Sequence, residues 1–200
     1  MKTLRFAIAP ALALLAAAVP ASAEKIPLNQ ISAYLNGLKT VVADFSQVSG
    51  NGAVSSGKVY IQRPGRIRFE YGGKAKTLVL ASGGQVAVFD PKSNQGHQEY
   101  PLSKTPLSII LADNVNLAKS GMVTDYTERK NTTVVTAQDP AHPNYGNIQM
   151  VFTANPVELR QWVVTDDTGK KTTVVLGQMQ KGVSIPPSAF SIASEVARRK

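Results

Sequence analysis

Among the side chains of this sequence that could do chemistry, one arginine occupies a place where its surroundings ask for an apolar residue. Arg63 stands before Pro64-Gly65 in the run GKVYIQRPGRIRFEY, in which apolar and charged residues alternate. Val59 and Ile61 share a face before the turn, and Ile67, Phe69 and Tyr71 share one after it; Arg66, Arg68 and Glu70 lie on the opposite side. A two-residue loop at Pro64-Gly65 would set the apolar set against the charged set, which strand register disfavours. A three-residue loop, Pro64 to Arg66, is therefore expected, pairing Ile61 with Phe69 and Val59 with Tyr71. Arg63 then joins the apolar face at its rim. An arginine there either lays its stem on the rim with its head in water or carries its planar fork of donors to polar acceptors across the opening. Exposed carbonyls at the end of a covering helix, near Ile109–Leu111, are the natural target.

The remaining reactive residues point away from catalysis. The chain has no cysteine, and its two histidines, His97 and His142, fall in turn-like surroundings rich in Gly, Asn and Pro. Neither belongs to a metal-ligand or triad-like pattern. The adjacent carboxylates Asp166-Asp167 precede Thr168-Gly169, where a hairpin turn accounts for them. No positioned acid, base or nucleophile is apparent, so the sequence is read as that of a non-enzyme without cofactor or metal.

The elements that must place Arg63 follow from periodicity. Leu28, Ile31, Leu35, Leu38 and Val42 recur at helical spacing, which predicts an amphipathic helix. From Asp44 the period changes to two. Strand-like segments at 57–62, 66–71, 77–80, 85–90 and 96–100 are separated by Gly, Pro, Ser and Asn turns, the pattern of an antiparallel meander. Thr105-Pro106 reads as a cap with proline opening a second helix, whose Leu107, Ile110, Leu111 and Val115 share a face. Strand signals resume at 121–129, 132–138, 147–153, 159–165 and 172–178. The tail around Ile185-Pro186-Pro187 is expected to be extended and to end in a solvated basic segment. Many strands with few short helices give a mainly β (α+β) fold, a large curved sheet under a helical cover.

The first residues address the compartment. A short basic start, an apolar run from Phe6 to Val19 and Ala21-Ser22-Ala23 have the form of a cleaved secretory signal. Cleavage after Ala23 leaves residues 24–200 as a single domain. Loss of Lys2 and Arg5 lowers the formal net charge from +9 to +7. A basic chain invites nucleic acid, but the Lys and Arg residues are scattered and lack interleaved stacking aromatics. Without cysteine the chain carries no disulfide and no site for lipid attachment.

These features together resemble the LolA-type outer-membrane lipoprotein carriers. The likeness rests on Asp44-Phe45-Ser46-Gln47, the RPGRIRFEY string, Phe89-Asp90-Pro91, Thr105-Pro106-Leu107 and the closing Ile185-Pro186-Pro187-Ser188-Ala189-Phe190. The resemblance implies an incomplete, unclosed antiparallel β-barrel with a lid of short helices over a hydrophobic cavity. It implies a monomeric periplasmic carrier in a Gram-negative bacterium that takes lipoprotein acyl chains from an inner-membrane ABC transporter and passes them to an outer-membrane acceptor. The family's lid-locking arginine falls on Arg63. Val59, Ile61, Ile67, Phe69 and Tyr71, with Ile110 and Leu111 from the lid, are expected to line the cavity. A sensor or scavenger binding a lipid or other hydrophobic ligand in the same fold is the alternative.

Overall fold

The computed structural model describes residues 25–73, 76–93, 96–118 and 121–199; the expected signal segment lies outside these. Helix α1 (Leu28–Gly37) is followed by the strands β1 (Thr40–Val48), β2 (Val54–Gln62), β3 (Arg66–Tyr71), β4 (Leu78–Ser82), β5 (Gln85–Phe89) and β6 (His97–Pro101). A one-turn 3-10 helix at Leu102–Lys104 leads to α2 (Leu107–Leu111). The chain returns through β7 (Val123–Arg129), β8 (Thr132–Gln138), β9 (Asn147–Thr153), β10 (Glu158–Thr165), β11 (Lys171–Leu176) and the two-residue β12 (Gln180–Lys181), and ends in α3 (Ile192–Arg198). All strand pairs are antiparallel, in the order β6-β5-β4-β3-β2-β1-β11-β10-β9-β8-β7, with β12 beside the start of β1. Among the described residues β6 and β7 do not pair, so the sheet is an unclosed half-barrel.

The alternation along each strand decides which side is which. Val41, Ala43 and Phe45 of β1, Val59 and Ile61 of β2, and Ile67 and Phe69 of β3 turn inward, as do Ile148, Met150 and Phe152 of β9 and Trp162 of β10. Helix α1 closes this side with Ile31 and Leu35, and α2 with Ile109, Ile110 and Leu111. Burial of this apolar surface is the main force holding lid to sheet, because neither lid helix is long enough to be stable alone.

Several expected boundaries move. Helix α1 stops at Gly37, and Val42 belongs to β1, whose β-branched Thr40-Val41-Val42 opening suits an extended strand better than a helix. Helix α2 ends at Leu111, leaving Val115 in the following loop. Thr105 does not cap it: its hydroxyl donates back to the Leu102 carbonyl (2.8 Å). His97 opens β6, within the segment expected to be a strand, and stacks on Phe89 (5.1 Å between ring centres), so its turn-like sequence neighbours did not indicate its place.

The largest correction concerns the C-terminus. It is a folded strap on the outer face, where Ile185 and Phe190 pack with Leu78, Leu80, Ala87 and Phe89 in a second apolar cluster. Arg68, placed by its alternation on the face opposite the apolar set, is consequently buried. Its guanidinium holds Glu70 (2.7 Å), the Ala189 carbonyl (3.0 Å) and Glu195 (3.2 Å). Glu195 also pairs with Arg198 and with Arg199 (2.9 Å). Burial alone would raise the Glu195 pKa, but hydrogen bonds from Arg199 and Arg68 hold it below the usual carboxylate range.

Candidate functional site

The β2–β3 turn contains three residues, as the alternation requires, but they are Arg63, Pro64 and Gly65. Gln62 pairs with Arg66, Ile61 with Ile67 and Val59 with Phe69. The ladder is thus offset by two residues from the expected pairing. An even offset leaves every side chain on its expected face, which is why parity survives the error. Gly65 has φ +71°, a conformation that disfavours residues with a Cβ. Its amide donates to the Leu111 carbonyl (2.9 Å), while the Arg63 amide donates to the Lys39 carbonyl (2.9 Å). The turn is therefore pinned between β1 and the end of α2.

From this fixed turn the Arg63 side chain reaches over the interior. Nη1 donates to the Leu35 carbonyl in the last turn of α1. Nη2 donates to the Ala112 carbonyl that follows α2 (2.5 Å) and to Asn36 Oδ1 (3.2 Å). The acceptors are thus Leu35 and Ala112, not the Ile109–Leu111 stretch, whose last carbonyl is occupied by Gly65. Carbonyls at a helix C-terminus carry the partial negative charge that favours a cation. Arg63 is only 9% exposed, and Nε is buried without a hydrogen-bond partner. Burial lowers the guanidinium pKa, with Asp113 acting in the other direction. Every acceptor of this buried cation is neutral, so its desolvation is not offset by an ion pair as it would be beside a carboxylate.

Beneath it, the expected interior residues Val59, Ile61, Ile67, Phe69, Ile110 and Leu111 are all buried in one contiguous apolar cluster. Tyr71 is partly buried at its edge, donates to Gln47 Oε1 (2.7 Å), and has its pKa pushed up to about 12 by burial. The cluster also contains aromatic residues that the sequence reading did not select. Phe45 meets Phe69 and Tyr71 edge to face, each at 5.2 Å between ring centres, and Phe69 meets Trp162 at 6.2 Å. Phe45 and Tyr71 both lie opposite Gly57 on the intervening strand, so the missing side chain lets their rings meet across it. Any Cβ at Gly57 would stand 1.9 Å from the Glu70 carbonyl oxygen. A glycine opposite two aromatics was the available signal.

The other candidate groups have local partners. His142 bonds Asp139 (2.9 Å) and stacks on Tyr145. Asp166 accepts from the Thr168 hydroxyl (2.7 Å) and from the amides of Thr168 and Lys170, which hold its pKa down within a tight turn.

An open antiparallel half-barrel, closed by two separate helical pieces that one buried arginine ties together over an apolar interior, defines a lidded binding protein. Residues 36–193 match the family model described as outer membrane lipoprotein carrier protein LolA, and the chain belongs to that family. It is 28% identical over 188 residues to the outer-membrane lipoprotein carrier protein of Chromobacterium violaceum, covering 90% of each chain. To that of Legionella pneumophila (strain Corby) it is 27% identical over 163 residues, covering 78% of this chain and 80% of the relative. A LolA superfamily protein of known structure from Nitrosomonas europaea aligns with a TM-score of 0.44 and 10% identity, over 84% of this chain and 99% of that one.

Proposed function

We propose that the protein is a periplasmic carrier that shields the acyl chains of lipoproteins released from the inner membrane by an ABC transporter and delivers them to an outer-membrane acceptor. The observation that carries this reading is the Arg63 fork. It bonds carbonyls of both lid pieces directly over an apolar interior, and the acceptors are all neutral. A purely structural arginine would be expected to pair with a carboxylate or to reach water. Here the cation holds a closed empty form together, and the acyl chains take the place of the lid side chains against Val59, Ile61, Ile67, Phe69 and Tyr71. The role is binding and handover, without bond-making chemistry.

Uptake from inner-membrane vesicles and handover to outer-membrane vesicles, scored separately, test the reading. Wild type should perform both steps. Arg63→Leu, which removes the tie and adds apolar surface, should take up lipoprotein yet release it poorly, and Arg63→Lys should be intermediate, since one ammonium cannot match a planar fork. Failure of Arg63→Leu at uptake, or normal performance of both steps, would overturn the role given to Arg63. Binding of a free lipid, with no lipoprotein taken from vesicles by wild type, would favour a sensor or scavenger.

A further inference from the structure

The two lid pieces are anchored to opposite halves of the sheet. The start of α1 is held by β7 and β8: the Ile26 amide donates to Thr133 Oγ1 (3.0 Å), and its carbonyl accepts from the Tyr126 hydroxyl (2.6 Å). Farther along α1, the Tyr34 hydroxyl accepts from the Leu159 amide of β10 (3.0 Å). The second piece, residues 102–117, is held by the other half. The Leu102 amide donates to the Gly84 carbonyl between β4 and β5 (2.8 Å), and Gly65 between β2 and β3 donates to Leu111.

Where the two pieces meet, side chains of α1 stand in for a strand partner. Asn36 Oδ1 accepts from the Val115 amide (2.9 Å), and its Nδ2 donates to the Val115 carbonyl (2.9 Å) and to Asn114 Oδ1 (3.2 Å). One turn earlier, Ser32 Oγ accepts from the Leu117 amide (2.9 Å) while donating to the Leu28 carbonyl (2.7 Å). Residues four apart lie on one face of a helix, so Ser32 and Asn36 form a short polar seam against the 115–117 backbone. Arg63 lies at the end of this seam and touches both sides of it.

We propose that the mouth opens along this seam, with Asn36 as the residue that positions Arg63 and closes it. On opening, α1 stays with β7–β10 and the 102–117 piece stays with β2–β5. Arg63, carried on the β2–β3 turn, gives up Leu35 and Asn36 but keeps Ala112. A lid hinged as one plate would instead have to break the anchors at Ile26 or Gly65. The seam also has the right strength for a gate: its bonds are few, and each of its groups can be satisfied by water when exposed. What enters through the opening rests on the carrier reading; where the opening lies does not.

Two measurements test it. In the cargo-free protein, hydrogen exchange of the Val115 and Leu117 amides should speed up about tenfold in Asn36→Ala, while the Ile26 and Gly65 amides are unchanged. Release of Ile26 or Gly65 together with Val115 would show that the lid opens elsewhere and overturn the proposal. Because the chain has no cysteine of its own, Asn36→Cys with Asn114→Cys can place one disulfide across the seam. The oxidised form should bind a synthetic triacyl lipopeptide at least about tenfold more weakly than the reduced form, because the competent state is depopulated. Equal binding in the two forms overturns the proposal. If wild type and the reduced variant both fail to bind the lipopeptide while the exchange pattern holds, the carrier reading falls and the seam stands.

Discussion

Replacement of Arg63 by Leu should shift the lid toward its open form without unfolding the sheet. Arg63 sends two hydrogen bonds to α1, to the Leu35 carbonyl and to Asn36. Bonds to a charged group contribute about 1.5–3 kcal/mol each, giving roughly 3–6 kcal/mol for the pair. Against this stands the buried Nε, which is left without a partner and subtracts about 1–3 kcal/mol while the lid is shut. Taken at the midpoints of both ranges, the remainder is about 2.5 kcal/mol, which corresponds to roughly a 60-fold change in the ratio of closed to open, at about 1.4 kcal/mol per tenfold. An apolar fluorescent probe reads this directly, because its apparent affinity scales with the population that can admit it. Arg63→Leu should bind the probe at least about thirtyfold more tightly than wild type, with urea unfolding retaining its slope. An intact variant with unchanged probe affinity would refute the assignment of Arg63 as a tie on the lid.

Three further outcomes follow from particular contacts. Phe69→Ala should lower stability by about 3–5 kcal/mol in urea unfolding, as expected for an aromatic that packs edge to face against Phe45 and Trp162 in the sealed interior. Gly57→Ala should destabilise more than Gly65→Ala, since its Cβ would meet backbone, whereas at Gly65 only the left-handed φ is strained, at about 1–2 kcal/mol; circular dichroism melts of the two variants compare them. Glu195 has a folded-state pKa below its usual value, so the stability it contributes is present above the unfolded pKa and is lost as pH falls through the folded one. The difference in urea midpoint between wild type and Glu195→Gln should therefore be largest at neutral pH and shrink in acid.

Strands were legible where turn residues bracket a clean alternation. The bounds expected for β3, β8 and β9 coincide with those found, because turn residues bracket them: Gly65 and Gly72 around β3, Asn131 and Asp139 around β8, and Gly146 before β9. Alternation fixes parity but not offset, which is how the β2–β3 ladder could be read two residues out with every face correct. Helix α3 was hidden because one of its inward positions is Glu195, a charge neutralised by arginines that converge only in the fold. Arg63 could be singled out from its own neighbours in sequence. Its acceptors could not: Leu35 and Ala112 lie 28 and 49 residues away and leave no local pattern. The seam is equally silent, since Asn36 and Val115 are 79 residues apart.

The packing of the interior bears on how such a carrier could let go. A buried acyl methylene is worth about 0.8 kcal/mol, so about three chains of ~16 carbons would gain on the order of 30 kcal/mol if fully transferred from water. Non-covalent affinities end near about 18–21 kcal/mol, and a protein holding all of that gain would not release its passenger. In the closed form, Phe69 and Ile67 are already buried in the same apolar cluster as lid residues Ile110 and Leu111. Chains that enter must displace this packing, so the cargo gains only the difference between its own burial and that of the lid. A residue such as Arg63, which ties the lid to neutral carbonyls, adds a few kcal/mol to the closed side without making the opening prohibitive. On the proposed carrier role, modest differences between the partners at the two membranes would then suffice to drive loading and release, since the protein's own empty state competes with the cargo at every step.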